Sequence, residues 1–80
     1  MNRNDDLKSA ISLALSGDWD RSHRIVQEIG DSTASWIHAV LHKMEGDESN
    51  SRYWYAKTGA RYDDYRSASE ELRAILKLLE

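Results

Sequence analysis

His38, His42 and Glu45 stand at i, i+4 and i+7, a spacing that in an α-helix brings all three within about one sixth of a turn of one another. Two imidazoles one helical turn apart can chelate zinc or a related divalent ion. A carboxylate then serves as third ligand, and an open fourth position holds water. The zinc-protease pattern requires glutamate directly after its first histidine, and here that place is taken by Ala39. The spacing therefore admits a metal without specifying one. Histidines on a half-buried helix edge more often hydrogen-bond to tyrosines, carboxylates or backbone.

A second group follows in Asn50-Ser51-Arg52-Tyr53-Trp54-Tyr55-Ala56-Lys57. Three aromatics in succession on a helix cannot all point into one core, so at least one must emerge. If Tyr53 and Trp54 pack against the preceding helix, Tyr55 points toward another hairpin or into solvent. Large aromatics compensate here for the absence of phenylalanine, filling a small core while their polar ends reach water. The functional alternative is an aromatic-walled groove with His38, His42, Asn50 and the tyrosine hydroxyls as its polar groups. Arg52, Lys57, Arg61 and Arg66 interleave with Tyr53, Tyr55, Tyr62 and Tyr65, a pattern that single-stranded nucleic acid can exploit. Asp63 and Asp64 interrupt that run, which reads better as a solvated, salt-bridged helix edge.

These side chains must be positioned by helices. The dipeptide Gly-Asp occurs at 17–18, 30–31 and 46–47, each time after a helix-like apolar pattern. Glycine there can take the left-handed conformation that closes one helix, and aspartate can accept the free N–H groups that open the next. The predicted helices run from Asp5 to Ser16 with Asn4 as cap, Trp19 to Ile29, Ser32 to Glu45, Glu48 to about Lys57, and Tyr65 to Leu79. Leu15–Gly30 laid on Met44–Gly59 at an offset of 29 residues aligns Gly17 with Gly46, Asp18 with Asp47, Ser22 with Ser51 and Gly30 with Gly59. The pattern suggests a duplicated helical hairpin. It has tetratricopeptide-like character, although the period is shorter than the usual ~34 residues and the proline is missing.

The expected fold is all-α: about five short helices in one domain spanning residues 1–80, two antiparallel hairpins side by side and a C-terminal capping helix. The last helix has the cleanest apolar stripe, with Leu76 and Leu79 offering surface through which a homodimer could form. Eighty residues without cysteine leave stability to helix packing, caps, self-association or a ligand, and remove thiolate chemistry. A net charge of −3 weighs against a general binder of nucleic acid or anionic membrane. The polar N-terminus and the lack of any long apolar run lead to the expectation of a cytoplasmic protein. No glycine-rich phosphate loop or nucleophile elbow occurs, and the carboxylates Asp5, Asp6, Asp18, Asp31 and Asp47 are explained as caps or first-turn charges. No catalytic motif and no resident cofactor can be named.

The string from Trp36 to Asp47, continued by Asn50, Arg52-Tyr53-Trp54-Tyr55 and Gly59-Ala60-Arg61, resembles the signature of a family of small uncharacterised helical proteins. In that pattern a histidine-rich helix ends in Glu-Gly-Asp, and the next helix carries Asn and a Tyr-Trp-Tyr-like triplet before a glycine turn. The resemblance covers about a third of the chain and implies no activity. Ser51 stands where the pattern commonly has alanine, and Lys57-Thr58 where it often has a second basic residue and alanine, which leaves one cation fewer there.

Taken together, the residues lead to the expectation of a protein-interaction or assembly module whose partner is another protein or a second copy. Its surface would be built from the third and fourth helices. The alternative is a small-ligand or divalent-metal site, with or without catalysis, among His38, His42, Glu45, Asn50, Arg52, Tyr53, Trp54 and Tyr55.

Overall fold

Each helix begins where a short polar side chain can accept a free backbone N–H. A computed structural model describes residues 2–80, and in it the elements are α1 Arg3–Leu15, α2 Trp19–Val26, α3 Ser32–Met44, α4 Glu48–Tyr55 and α5 Ala68–Leu79. Asn2 caps α1 by accepting from the Asp5 N–H at 2.8 Å. Asp18, Asp31, Asp47 and Ser67 do the same for α2 to α5. The expected cap Asn4 therefore lies inside α1. Asn2 is equally able to accept, and starting the helix two residues earlier still leaves Asp5 and Asp6 in its first turn, at the positive end of the helix dipole.

Two of the three Gly-Asp dipeptides close one helix and open the next. Gly17 has φ +92° and Gly46 has φ +82°, a conformation that costs a side-chain-bearing residue energy and glycine none. The Asp18 N–H then donates to the Leu13 carbonyl at 2.8 Å, and Asp47 to His42 at 2.9 Å. The main chain of each aspartate thus satisfies the old helix while its carboxylate caps the new one. Gly30 differs: its φ is not positive. It belongs to a short irregular link between the hairpins, because α2 already ends at Val26 and no tight reversal is required there.

The 29-residue offset is reproduced in three dimensions. α1 and α3 are both 13 residues long, and α2 and α4 both 8. In the first hairpin the buried Ser22 hydroxyl donates to the Ala10 carbonyl at 2.7 Å, and in the second Ser51 donates to Ala39 at the same distance. Each hydroxyl ties the second helix of its hairpin to the first. The two hairpins are thus one structural unit used twice, to which α5 is added.

One apolar cluster draws on all five helices, including Leu7 and Ile11 of α1, Val26 of α2, Ile37 and Leu41 of α3, Tyr55 of α4, and Leu72 and Ile75 of α5. α3 packs against all four of the others, so its burial extends well beyond one stripe and takes in His38 and His42. Met44 is exposed at the helix end. α5 does not close the end of the stack: it lies across α1 and α3, the first helices of both hairpins. It starts at Ala68 rather than Tyr65, since Ser67 supplies the cap. Leu76 and Leu79 pack against the core, and the exposed leucine is Leu78. No described helix is long and apolar enough to cross a membrane.

Candidate metal centre at the hairpin junction

His38 and His42 project from α3 toward α2, where His23 meets them. One ring nitrogen of each of the three lies within 4.8 Å of the other two. Tetrahedral zinc with Zn–N bonds of about 2.0–2.1 Å holds its nitrogens roughly 3.3 Å apart. Closure of at most roughly 1.5 Å therefore brings the three rings to coordination distance, within reach of small side-chain rotations.

Aromatic rings hold the three imidazoles in one continuous cluster of stacked and edge-to-face contacts. Trp19 lies flat on His23, centroids 4.7 Å apart at 10°, and Trp54 lies flat on His38 at 3.9 Å and 13°. Between them His23 meets His38 edge to face at 4.6 Å, and His38 stacks on His42 at 5.0 Å. The Trp19 indole N–H donates to the Leu41 carbonyl at 2.7 Å, which fixes the outer ring of the stack. Two helices of one hairpin and one of the other thus orient rings that belong to both.

The hydrogen-bond inventory separates the three histidines. Nδ1 of His42 is bonded to Glu45 Oε2 at 2.7 Å, and in the neutral ring this nitrogen donates. Nε2 is then left with its lone pair free. A carboxylate behind a histidine in this way fixes the tautomer of metal-ligating rings and makes them better donors. Among the described residues neither His23 nor His38 has a side-chain hydrogen-bond partner, although only 5 % of His38 is exposed. Burial first, and then the neighbouring His23 and His42, push His38 down to about 4. His23 is lowered too, by burial and by His42, against the opposing pull of Glu45 and Asp20. Both rings are therefore neutral at pH 7, the protonation state a metal requires.

The eight residues singled out from the sequence divide into three groups. His38, His42, Glu45 and Trp54 come together at the junction, with Glu45 backing His42 rather than standing as the third member of the ring cluster. Glu45 also belongs to a second group, His42, Glu45 and Asp47, whose ligand atoms lie within 4.8 Å of one another. Asp47 is committed to capping α4 and to accepting from the Asn50 amide at 3.2 Å, which removes Asn50 from the ring cluster. Arg52 is turned away, paired with Glu48 at 2.7 Å and lying 4.3 Å from the Tyr62 ring centroid. Of the aromatic triplet it is Tyr53 that emerges, 57 % exposed, while Tyr55 is buried. α4 turns Tyr55 inward at the position that Val26 holds in the first hairpin, and this hands the outer face to Tyr53.

Tyr55 enters a different assembly. Its hydroxyl donates to Glu71 Oε2 at 2.6 Å, the Trp36 indole N–H donates to the same oxygen at 2.7 Å, and Lys43 Nζ meets Oε1 at 2.8 Å. Glu71 is fully buried on α5. Burial, reinforced by the carboxylate, pushes the Tyr55 hydroxyl far above its ordinary range, so it stays a donor. Every oxygen of this carboxylate is committed, and we read it as the lock that fastens α5 to the second hairpin.

Spacing along the chain left His23 out of the site, as it did the Lys43–Glu71 pair. The signal available for His23 was that the chain has three histidines in all, two of them already candidates. Nothing in the sequence joins Lys43 to Glu71, 28 residues apart. No family model, no curated protein and no solved structure matches the chain.

Proposed function

We propose that the domain binds a divalent transition-metal ion through His23, His38 and His42, with Glu45 orienting His42 and at least one coordination position left open. The observation that carries the reading is that ring nitrogens from two different hairpins converge within 4.8 Å although neither His23 nor His38 has a hydrogen bond to occupy it. The free ring nitrogens are not sealed off: among the described residues no side-chain nitrogen is both fully buried and unpartnered, which leaves a path by which an ion can reach them. Three imidazoles without thiolate suit zinc, copper or nickel better than calcium or magnesium, which prefer oxygen. An ion there also clamps hairpin to hairpin, because the ligands lie on α2 and α3.

Thermal unfolding with and without zinc, nickel or copper tests this. At an ion concentration about a hundredfold over Kd, stabilisation of roughly 2.7 kcal/mol raises the Tm of a domain this size by on the order of 10 °C or more. His23→Ala and His42→Ala lose the shift, and Glu45→Gln weakens binding by roughly 10- to 100-fold without abolishing it. A wild-type protein whose Tm responds to none of the three ions removes the reading.

The interaction-module reading has one observation in its favour, the exposure of Tyr53 beside half-buried Trp54 on the outer face of α4. It stands second because one exposed tyrosine is far short of a contiguous apolar patch. α5 moreover already covers the first helices of both hairpins. Unchanged partner capture by Tyr53→Ala would discard that surface.

A further inference from the structure

The end of α2, the link to α3, and one side of α3 and α4 line a pocket of about 240 Å³ that opens to solvent past Gln27, Gly30 and Lys57, room for roughly eight waters. Its walls are Val26, Ile29 and the Trp54 indole, its polar groups are Gln27, Ser35 and Lys57, and buried His38 lines it on the inner side. No acidic residue contributes, in a chain where acids outnumber lysine and arginine 14 to 11. The Lys57 ammonium has no carboxylate within 4.0 Å among the described residues, whereas Lys43 and Arg52 on the same hairpin are both ion-paired. It rests instead 4.9 Å from the centroid of Tyr53 and 5.6 Å from that of Trp54. Aromatic faces hold an ammonium in place without neutralising it.

We propose that this pocket binds a small monocarboxylate. The carboxylate is held by the Lys57 ammonium with the Gln27 amide and the Ser35 hydroxyl as further donors, and the hydrocarbon part lies against Val26, Ile29 and Trp54. Apolar walls with a few convergent donors and one cation are the usual form of a site for such a ligand. The volume limits the occupant to roughly half a dozen non-hydrogen atoms, with water filling the rest. The inference goes beyond the metal reading and does not depend on it, since the charge that selects the ligand comes from Lys57.

Calorimetric titration of the metal-free protein, in the presence of a chelator, with sodium butyrate, butyramide and octanoate tests it. Butyrate binds with Kd on the order of 1 mM, and butyramide roughly tenfold or more weakly. Octanoate, too long for the pocket, binds no better than butyrate. Lys57→Gln weakens butyrate roughly tenfold and Lys57→Arg retains it. Equal affinity for butyrate and butyramide, indifference to Lys57→Gln, or affinity that climbs with chain length overturns the proposal. Because metal is chelated throughout, failure of zinc to bind in the separate experiment leaves this result standing, and the reverse.

Discussion

The two hairpins share backbone, turn and internal serine bond, yet differ in almost everything that bears on chemistry. Trp36, Lys43 and Tyr55, which surround Glu71 in the second hairpin, correspond at the 29-residue offset to Leu7, Ala14 and Val26, all buried and apolar. His38 and His42 likewise correspond to Ser9 and Leu13. Ala34, Ile37 and Leu41 of α3 are buried, while their counterparts on α1, Asp5, Lys8 and Ser12, are not. One hairpin geometry therefore tolerates either a polar, solvent-facing helix or a buried one bearing imidazoles. The histidines are a consequence of what α3 faces, not a requirement of the hairpin.

The sharpest way to break the comparison is Glu71→Ala. It leaves a buried ammonium, an indole N–H and a hydroxyl without their acceptor, at a cost of about 3–5 kcal/mol, close to the whole stability expected of a domain this small. Ala14→Gly in the first hairpin, which disturbs only local packing and propensity, costs about 1 kcal/mol. Urea unfolding separates the two. Replacing Lys43 and Glu71 together by Met and Leu recovers only the part due to the unpaired ammonium, because the Trp36 N–H and the Tyr55 hydroxyl still lack their acceptor. A double variant no more stable than the single one would show that the ammonium carries none of the loss.

Acid acts at the junction, where His38 and His23 are both held below the ordinary imidazole range. The folded state holds His38 near 4, against about 6.5 in the unfolded chain. A depressed pKa means the unfolded state binds more protons as pH falls. The stabilisation is thus complete above about pH 6.5 and is lost on the way down to about 4, with about 2 kcal/mol gone by pH 5. His38→Gln flattens that slope between pH 7 and 5 in chemical denaturation. An unchanged slope would place the acid sensitivity elsewhere.

Ser22→Ala and Ser51→Ala sharpen the comparison from the side of likeness. Each removes one 2.7 Å bond of the same geometry, and each costs about 1 kcal/mol. A difference above roughly 1 kcal/mol between them would mean that the hairpins are not energetically equivalent where their structures agree. The glycine series is of similar size at two positions and vanishes at the third. Gly17→Ala and Gly46→Ala cost about 1 kcal/mol each, because φ is +92° and +82° there. Gly30→Ala, with no positive φ and open space around its Cα, is neutral or slightly stabilising.

Much of this could be read from the chain because it is local. A Gly-Asp pair after an apolar 3.6-residue pattern fixes a helix end through backbone sterics and one short hydrogen bond, and the 29-residue offset follows from repeating it. His38, His42 and Glu45 fell together for the same reason, since helix geometry alone sets i, i+4 and i+7. Where local signals competed, the structure chose: Asn2 over Asn4 as cap, and Ser67 as the cap of α5 in place of a start at Tyr65. Asp64 is engaged instead in the loop, accepting from the Arg61 N–H at 2.9 Å.

What the tertiary structure alone decided are the partnerships between helices far apart in sequence. Nothing periodic in the chain says that α5 crosses α1 and α3 or that Glu71 is fully buried. Nor does it say that Tyr53 rather than Tyr55 faces water, or that His23 completes the ring cluster. The amino-acid sequence determines which face of each helix is apolar, because that depends on spacing along one rod. Which rod lies against that face, and hence which buried groups meet, depends on how five such faces cover one another, and that is settled only by packing the whole chain.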